Sequence, residues 1–144
     1  MLGMGIKNMK FLACVLFASG AFVAALPLKT TEAAILLSAD TAAEIVSVRG
    51  VTVREGDVSG DLINKSRGLV RDVQLQITYR WLWNDEFHPG KDDPGRTVYY
   101  TVEKEIPPGQ SIGFAYKPSP PLAARTDGVF ITTVSVAGYS QVWP

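Results

Sequence analysis

The sequence predicts an all-β chain folded as an antiparallel β-sandwich of six to seven strands, with an N-terminal signal helix ahead of it. Three observations carry this. In Val70 to Asp85, "VRDVQLQITYRWLWND", Val73, Leu75, Ile77, Tyr79, Trp81 and Trp83 fall on one face of an extended chain and Gln74, Gln76, Thr78 and Arg80 on the other. Beyond Ala43 no segment has helical periodicity, and short apolar runs alternate with Gly, Pro and Asn turn signals. The first 28 residues instead pair a basic start with an uncharged apolar run. A small closed barrel is the alternative arrangement of the same strands.

Lys7 and Lys10 precede a run from Phe11 to Leu28 with no acid, base or amide, the layout of a secretory signal peptide. Val23 and Ala25 suit the −3 and −1 positions of a cleavage site, which sets residues 1–25 as the leader, with Thr31 and Ala33 as a fallback pair. The alternative is an uncleaved anchor, since such a run is near the lower limit for spanning a bilayer. Either way the protein is expected in the periplasm or outside the cell. Cys14, the sole cysteine, has only Phe11, Leu12 and Ala13 between it and Lys10, too short an apolar segment for a lipidation box. A mature chain without cysteine must rest on its core alone. Of 14 basic residues, Lys7 and Lys10 leave with the leader, so 12 face 14 acids and no basic cluster survives. Nucleic-acid binding, which depends on phosphate neutralisation, is thereby disfavoured.

Residues 26–43 form a lead-in whose alanine-rich end, "AAILLSADTAA", reads either as a short helix or as ordered coil. The sandwich is expected over residues 44–144. In "EIVSVRGVTVRE" Val46 and Val48 share a face and Val51 and Val53 the other, unless one residue is inserted; Gly50 at the phase change predicts a β-bulge or a sheet crossing. The second strand runs from Val58 to Asn64 and ends in the turn formers Asn64, Ser66 and Gly68. After the long third strand, Asn84 to Arg96 holds two Pro-Gly pairs and must be a loop. Alternation resumes with Val98, Tyr100, Val102 and Ile106, turns at "PPGQ", and returns through Ile112, Phe114 and Tyr116. A proline-stiffened connection leads to the last strand, "VFITTVSVAGYSQVW", with a bend expected at Gly138.

"VSGDLINKSRGLVRDVQLQITYRW" followed by "EIPPGQSIGFAYK" resembles the FxLYD-type immunoglobulin-like domains of exported prokaryotic proteins. The matching positions are Val58, Gly60, Leu62, Asn64 and Ser66, then Val70, Val73 and Leu75, then Ile106, Pro108, Gly109 and Phe114. The resemblance covers Val51 to Lys117. Where the family's Tyr-Asp pair would stand this chain has Tyr79-Arg80, and a thirteen-residue loop replaces the usual hairpin. The resemblance implies an immunoglobulin-like sandwich in an extracytoplasmic setting and carries over no catalytic residue.

Candidate chemistry is sparse. His88 is the only histidine, which excludes a histidine metal cluster, and no nucleophile elbow accompanies it for a triad. Asp85, Glu86, Asp92 and Asp93 offer oxygen ligands for calcium but lack alternating ligand spacing, so they read as a solvated turn. Glu103 and Glu105, at i and i+2, read as the charged outer face of a strand rather than as paired glycosidase carboxylates. The aromatics remain. Trp81, Trp83, Tyr99 and Tyr100 flank the long loop and become cross-strand neighbours if the strands pair around it. They are the candidate binding residues, with Tyr79 and Trp81 also contributing to the core and Trp83 at its rim. The expectation is a non-enzymatic accessory domain with no cofactor or metal that binds another envelope protein. A carbohydrate-binding module stacking sugars on an aromatic strip and a membrane-tethered structural domain are the alternatives.

Overall fold

The computed structural model describes residues 39–143; the expected leader and residues 26–38 of the lead-in lie outside the described residues. A short helix, α1 (Ala39–Ile45), comes first, followed by β1 (Val46–Arg54), β2 (Asp57–Asn64), β3 (Leu69–Trp83), β4 (Arg96–Val102), β5 (Ser111–Tyr116) and β6 (Gly128–Val142). These six strands form two antiparallel three-stranded sheets, ordered β1-β2-β5 and β4-β3-β6, which make a β-sandwich.

The core follows from alternation. Val73, Leu75, Ile77 and Tyr79 of β3 are fully buried, as are Leu62 of β2 and Val70, while the intervening residues of β3 are not. Ala42 places α1 in the same core, against β1 and β6. The helix ends where Lys65 closes it, donating from Nζ to the Ala43 carbonyl at 2.9 Å and from its backbone to that of Ile45 at 2.8 Å, so two of the carbonyls that a helix end leaves open are satisfied.

The phase change at Gly50 is a bulge. The register of β1 against β2 shifts between Arg49 and Thr52, with Gly50 at φ 60°, a conformation that suits glycine. The inserted residue brings Val53 opposite the buried Val58, back in phase with Val48 opposite Leu62. "PPGQ" closes as a turn in which Gln110 donates to the Pro107 carbonyl and Gly109 takes φ 71°, the pattern of a type II turn with proline second and glycine third. At Gly138 the pairing of β6 with β3 is irregular, but the strand runs on to Val142. One expectation is corrected: β4 ends at Val102, so Glu103 and Glu105 lie past the strand, and Ile106 returns only as a single bridge to Val70.

β3 outruns its hairpin partner. Arg96, the first residue of β4, pairs with Tyr79, so Arg80 to Trp83 project beyond β4 and pair only with β6. This unequal hairpin creates the aromatic end of the sandwich.

Candidate functional site

Tyr79 and Trp81 meet Phe130 from β6, which is the register partner of Trp81, and Trp83 packs against Trp81. The rings pack edge to face, with centroids 6.5 Å apart for Tyr79 and Phe130, 4.7 Å for Trp81 and Phe130, and 6.1 Å for Trp81 and Trp83. That geometry sets the positive ring edge against the negative ring face. Trp81 is 6% exposed and Trp83 is half-buried. Gly128 allows β6 to begin here, because a Cβ at that position would stand 2.5 Å from the indole of Trp81.

Arg125 closes this end. Its guanidinium lies 5.6 Å from the Trp81 ring centroid and 5.0 Å from that of Trp83, a cation held over two indoles. Asp127 orients it, accepting from Nε at 2.9 Å and pairing with the second guanidinium nitrogen, which holds the Asp127 carboxyl below its usual range. A further nitrogen donates to the Asp92 carbonyl at 2.8 Å. The Asn84 side chain donates to the Thr126 carbonyl at 3.0 Å and its backbone to that of Asp127 at 3.0 Å. These bonds tie the 84–95 loop to the 118–127 connection. Gly90 of the loop lies against Trp83, where a Cβ would come within 2.6 Å of the ring. Trp83 is thus roofed by loop backbone on one side and Arg125 on another.

The loop carboxylates bind their own backbone. Asp85 Oδ1 accepts the Phe87 N–H at 3.0 Å, Oδ2 lies 2.9 Å from His88 Nδ1, and Glu86 accepts the Trp83 N–H at 2.9 Å. Asp93 accepts from Gly95 at 2.7 Å. The contact with His88, then the bond from Phe87, holds the Asp85 carboxyl below its ordinary range. Among the described residues, no group of three or more His, Cys, Asp or Glu side chains is placed to hold a metal ion. What the turn does is display Phe87, whose side chain is 92% exposed on a segment fixed by bonds on both sides.

The four aromatics singled out in the sequence do not form one strip. Trp81 and Trp83 touch, but Tyr99 pairs with Gln76 and Tyr100 with Leu75, several rungs away and on opposite faces of the sheet. Tyr99 is open on the outer face, while Tyr100 is half-buried with its ring 5.2 Å from that of Tyr116 across the sheets. Sequence reasoning missed Phe87 and Arg125. Phe87 stood beside His88 in a loop without alternation to rank it, and Arg125 meets its indoles from more than forty residues away. Comparison with family models, with curated proteins and with solved structures found no match for this chain.

Behind this end, Tyr79 is wholly buried and donates from its hydroxyl to the Gly56 carbonyl at 2.8 Å, joining β3 to the β1–β2 turn. Burial, reinforced by Tyr116, pushes its phenol up to about 12, with Arg96 acting in the opposite sense. A phenol so held is a structural donor and no acid at neutral pH.

Proposed function

We propose that this chain is an exported, non-enzymatic accessory domain, an immunoglobulin-like sandwich that binds another protein of the cell envelope through the loop after β3. The observation that carries the reading is Phe87: a large apolar side chain 92% exposed on an internally bonded turn. Water gains nothing from such a residue, and an ordered loop loses little entropy on docking, so the arrangement fits an interface anchor. The apolar leader with its basic start supports export, and the FxLYD-like motif positions support the immunoglobulin-like assignment. The roofed Trp83 supports the loop rather than offering a free stacking face.

The test is capture from envelope extract with wild-type protein and Phe87→Ala in parallel, each with its thermal melt. Phe87→Ala should melt within about 0.5 kcal/mol of wild type, as a surface change, while capture falls by an amount corresponding to about 2 kcal/mol. Equal capture by both would remove the loop as the contact.

A further inference from the structure

A cleft of about 420 Å³ lies between the end of β1, its turn into β2, β6 and the 122–124 segment. Its strand side chains belong to the interior by register: Val53 stands opposite the buried Val58, Phe130 opposite Trp81 and Thr132 opposite Tyr79. Cross-strand partners share one face of their sheet. Yet Val53 is 41% exposed, and Phe130 and Thr132 are only half-buried. The cleft therefore opens apolar surface that the fold aims inward, and its volume falls in the range of roughly 300–1,000 Å³ common to small-molecule sites.

Against walls made by Val53, Leu122 and Phe130 stand two polar side chains, Thr132 and Glu55, and Glu55 is the one charged residue of the lining among the described residues. No hydrogen bond or ion pair engages its carboxylate among those residues. The backbone that carries it is fixed. Glu55 takes φ 51° and Gly56 φ 91° at the two central positions of the β1–β2 turn, where Asn, Asp or Gly usually precedes glycine. A glutamate in this conformation is uncommon, and residues so held gather at ligand sites. The Gly56 carbonyl accepts from the Tyr79 hydroxyl at 2.8 Å, and a Cβ on Gly56 would stand 2.8 Å from Leu122, so the turn is pinned against the cleft wall. A larger hollow of about 600 Å³ on the β1-β2-β5 sheet differs, because its acid, Asp57, already has Lys117 at 4.0 Å and Arg54 as its register partner.

We propose that this cleft binds a small organic cation, an ammonium group on an aliphatic or aromatic body. The body lies against Val53, Leu122 and Phe130 and displaces water from them, while the ammonium pairs with Glu55 and the Thr132 hydroxyl offers a second acceptor. Charge selects this class. An anion would meet an uncompensated carboxylate beside apolar walls, where water screens it less than on an open surface. A neutral molecule with the same body gains the walls but not the ion pair, so the carboxylate sets the preference and the walls supply the bulk of the contact. The site is separate from Phe87 and goes beyond the reading above, and either can hold without the other.

Amide NMR of the isotope-labelled chain recovered from expressing cells, titrated at neutral pH with phenylbutylamine, phenylbutanol and phenylbutanoate, tests this. The amine should shift the amides of Val53 to Gly56, Leu122 to Ala124 and Thr132. It should bind roughly fivefold tighter than the alcohol, the scale of one ion pair at a solvent-exposed rim, and the carboxylate should bind more weakly than either. Glu55→Gln should bring amine and alcohol to equal affinity and leave the alcohol's own affinity unchanged. Should that variant fail to fold by circular dichroism, Glu55→Asn, which suits the left-handed turn position, makes the same test. An absence of shifts in the cleft, an amine that binds no tighter than the alcohol, a carboxylate that binds as well as the amine, or a preference for the amine that survives loss of the Glu55 charge would each overturn the proposal.

Discussion

At the Asn64 end of the sandwich a fully buried amide joins the segments by four hydrogen bonds, whereas at the Trp81 end two indoles and a guanidinium fill the space with ring contacts and leave Trp81 Nε1 without a partner among the described residues. Asn64 Nδ2 donates to the carbonyls of Gly68 and Ile106, each at 2.8 Å, while Oδ1 accepts from the backbone N–H of Ser66 at 2.8 Å and from its hydroxyl at 2.7 Å. Its backbone also meets the 107–110 turn, through Gln110 and Gly109. A network of this kind admits one arrangement, because any shift leaves a buried group without a partner. Ring packing at the other end is less directional. That end can support a long loop of independent sequence while the opposite end fixes the register of the strands.

The largest effect is therefore expected at Asn64. Asn64→Ala removes four hydrogen bonds and strands the Ser66 N–H, while the Gly68 and Ile106 carbonyls keep the Ser66 hydroxyl and the Val70 N–H as donors, so it should cost about 2–4 kcal/mol, since a hydrogen bond contributes roughly 0.5–1.5 kcal/mol and an unsatisfied buried group costs roughly 1–3 kcal/mol. Urea melts read it directly. A cost near that of an ordinary surface change would mean water replaces the amide, and the contrast between the ends would fail.

Tyr79→Phe comes next. It removes one directional bond from the aromatic end, leaving the Gly56 carbonyl unpaired, and should cost about 1–3 kcal/mol at neutral pH. The alkaline limb sharpens the point. The folded phenol titrates near 12 and the unfolded one near 10, so the folded state retains its proton while the unfolded state loses it. The resulting stability is present below pH 10 and declines as pH rises through the folded value. Melts between pH 9 and 12 should fall more steeply for wild type than for Tyr79→Phe; parallel curves would remove Tyr79 as the cause.

These ends also differ in how legible they were. The strands were readable because burial of one face imposes period two, and Gly50 marked its bulge by breaking that phase. Asn64 was readable as a turn former, not as a buried hub, because Ile106 lies 42 residues away and no local pattern records that meeting. The placement of Tyr99 and Tyr100 depended on how many residues β3 runs past β4. Loop length does not fix that number, and the observed overhang separates them from the tryptophans. Phe87 became visible only as an exposure.

The smallest effect sharpens the loop half of the comparison. If the turn displaying Phe87 is held by Asp85, then Asp85→Ala should leave the global melt unchanged, because its bonds are solvent-exposed and local. The backbone amides of Phe87 and His88 should nevertheless exchange faster with solvent. Acid should mimic the substitution. The Asp85 carboxyl lies below its ordinary range because the contact with His88 and the Phe87 N–H favour its charged form, so the turn is intact above the usual carboxylate range and is released as pH falls through the lowered value. Amide exchange followed by NMR across that acid range should show Phe87 loosening in wild type and a flat, already loose profile in Asp85→Ala. Identical profiles in both would show that the tie to Thr126 and Asp127, rather than the carboxylate, holds the turn, and would move the origin of Phe87's rigidity to the Arg125 side of the aromatic end.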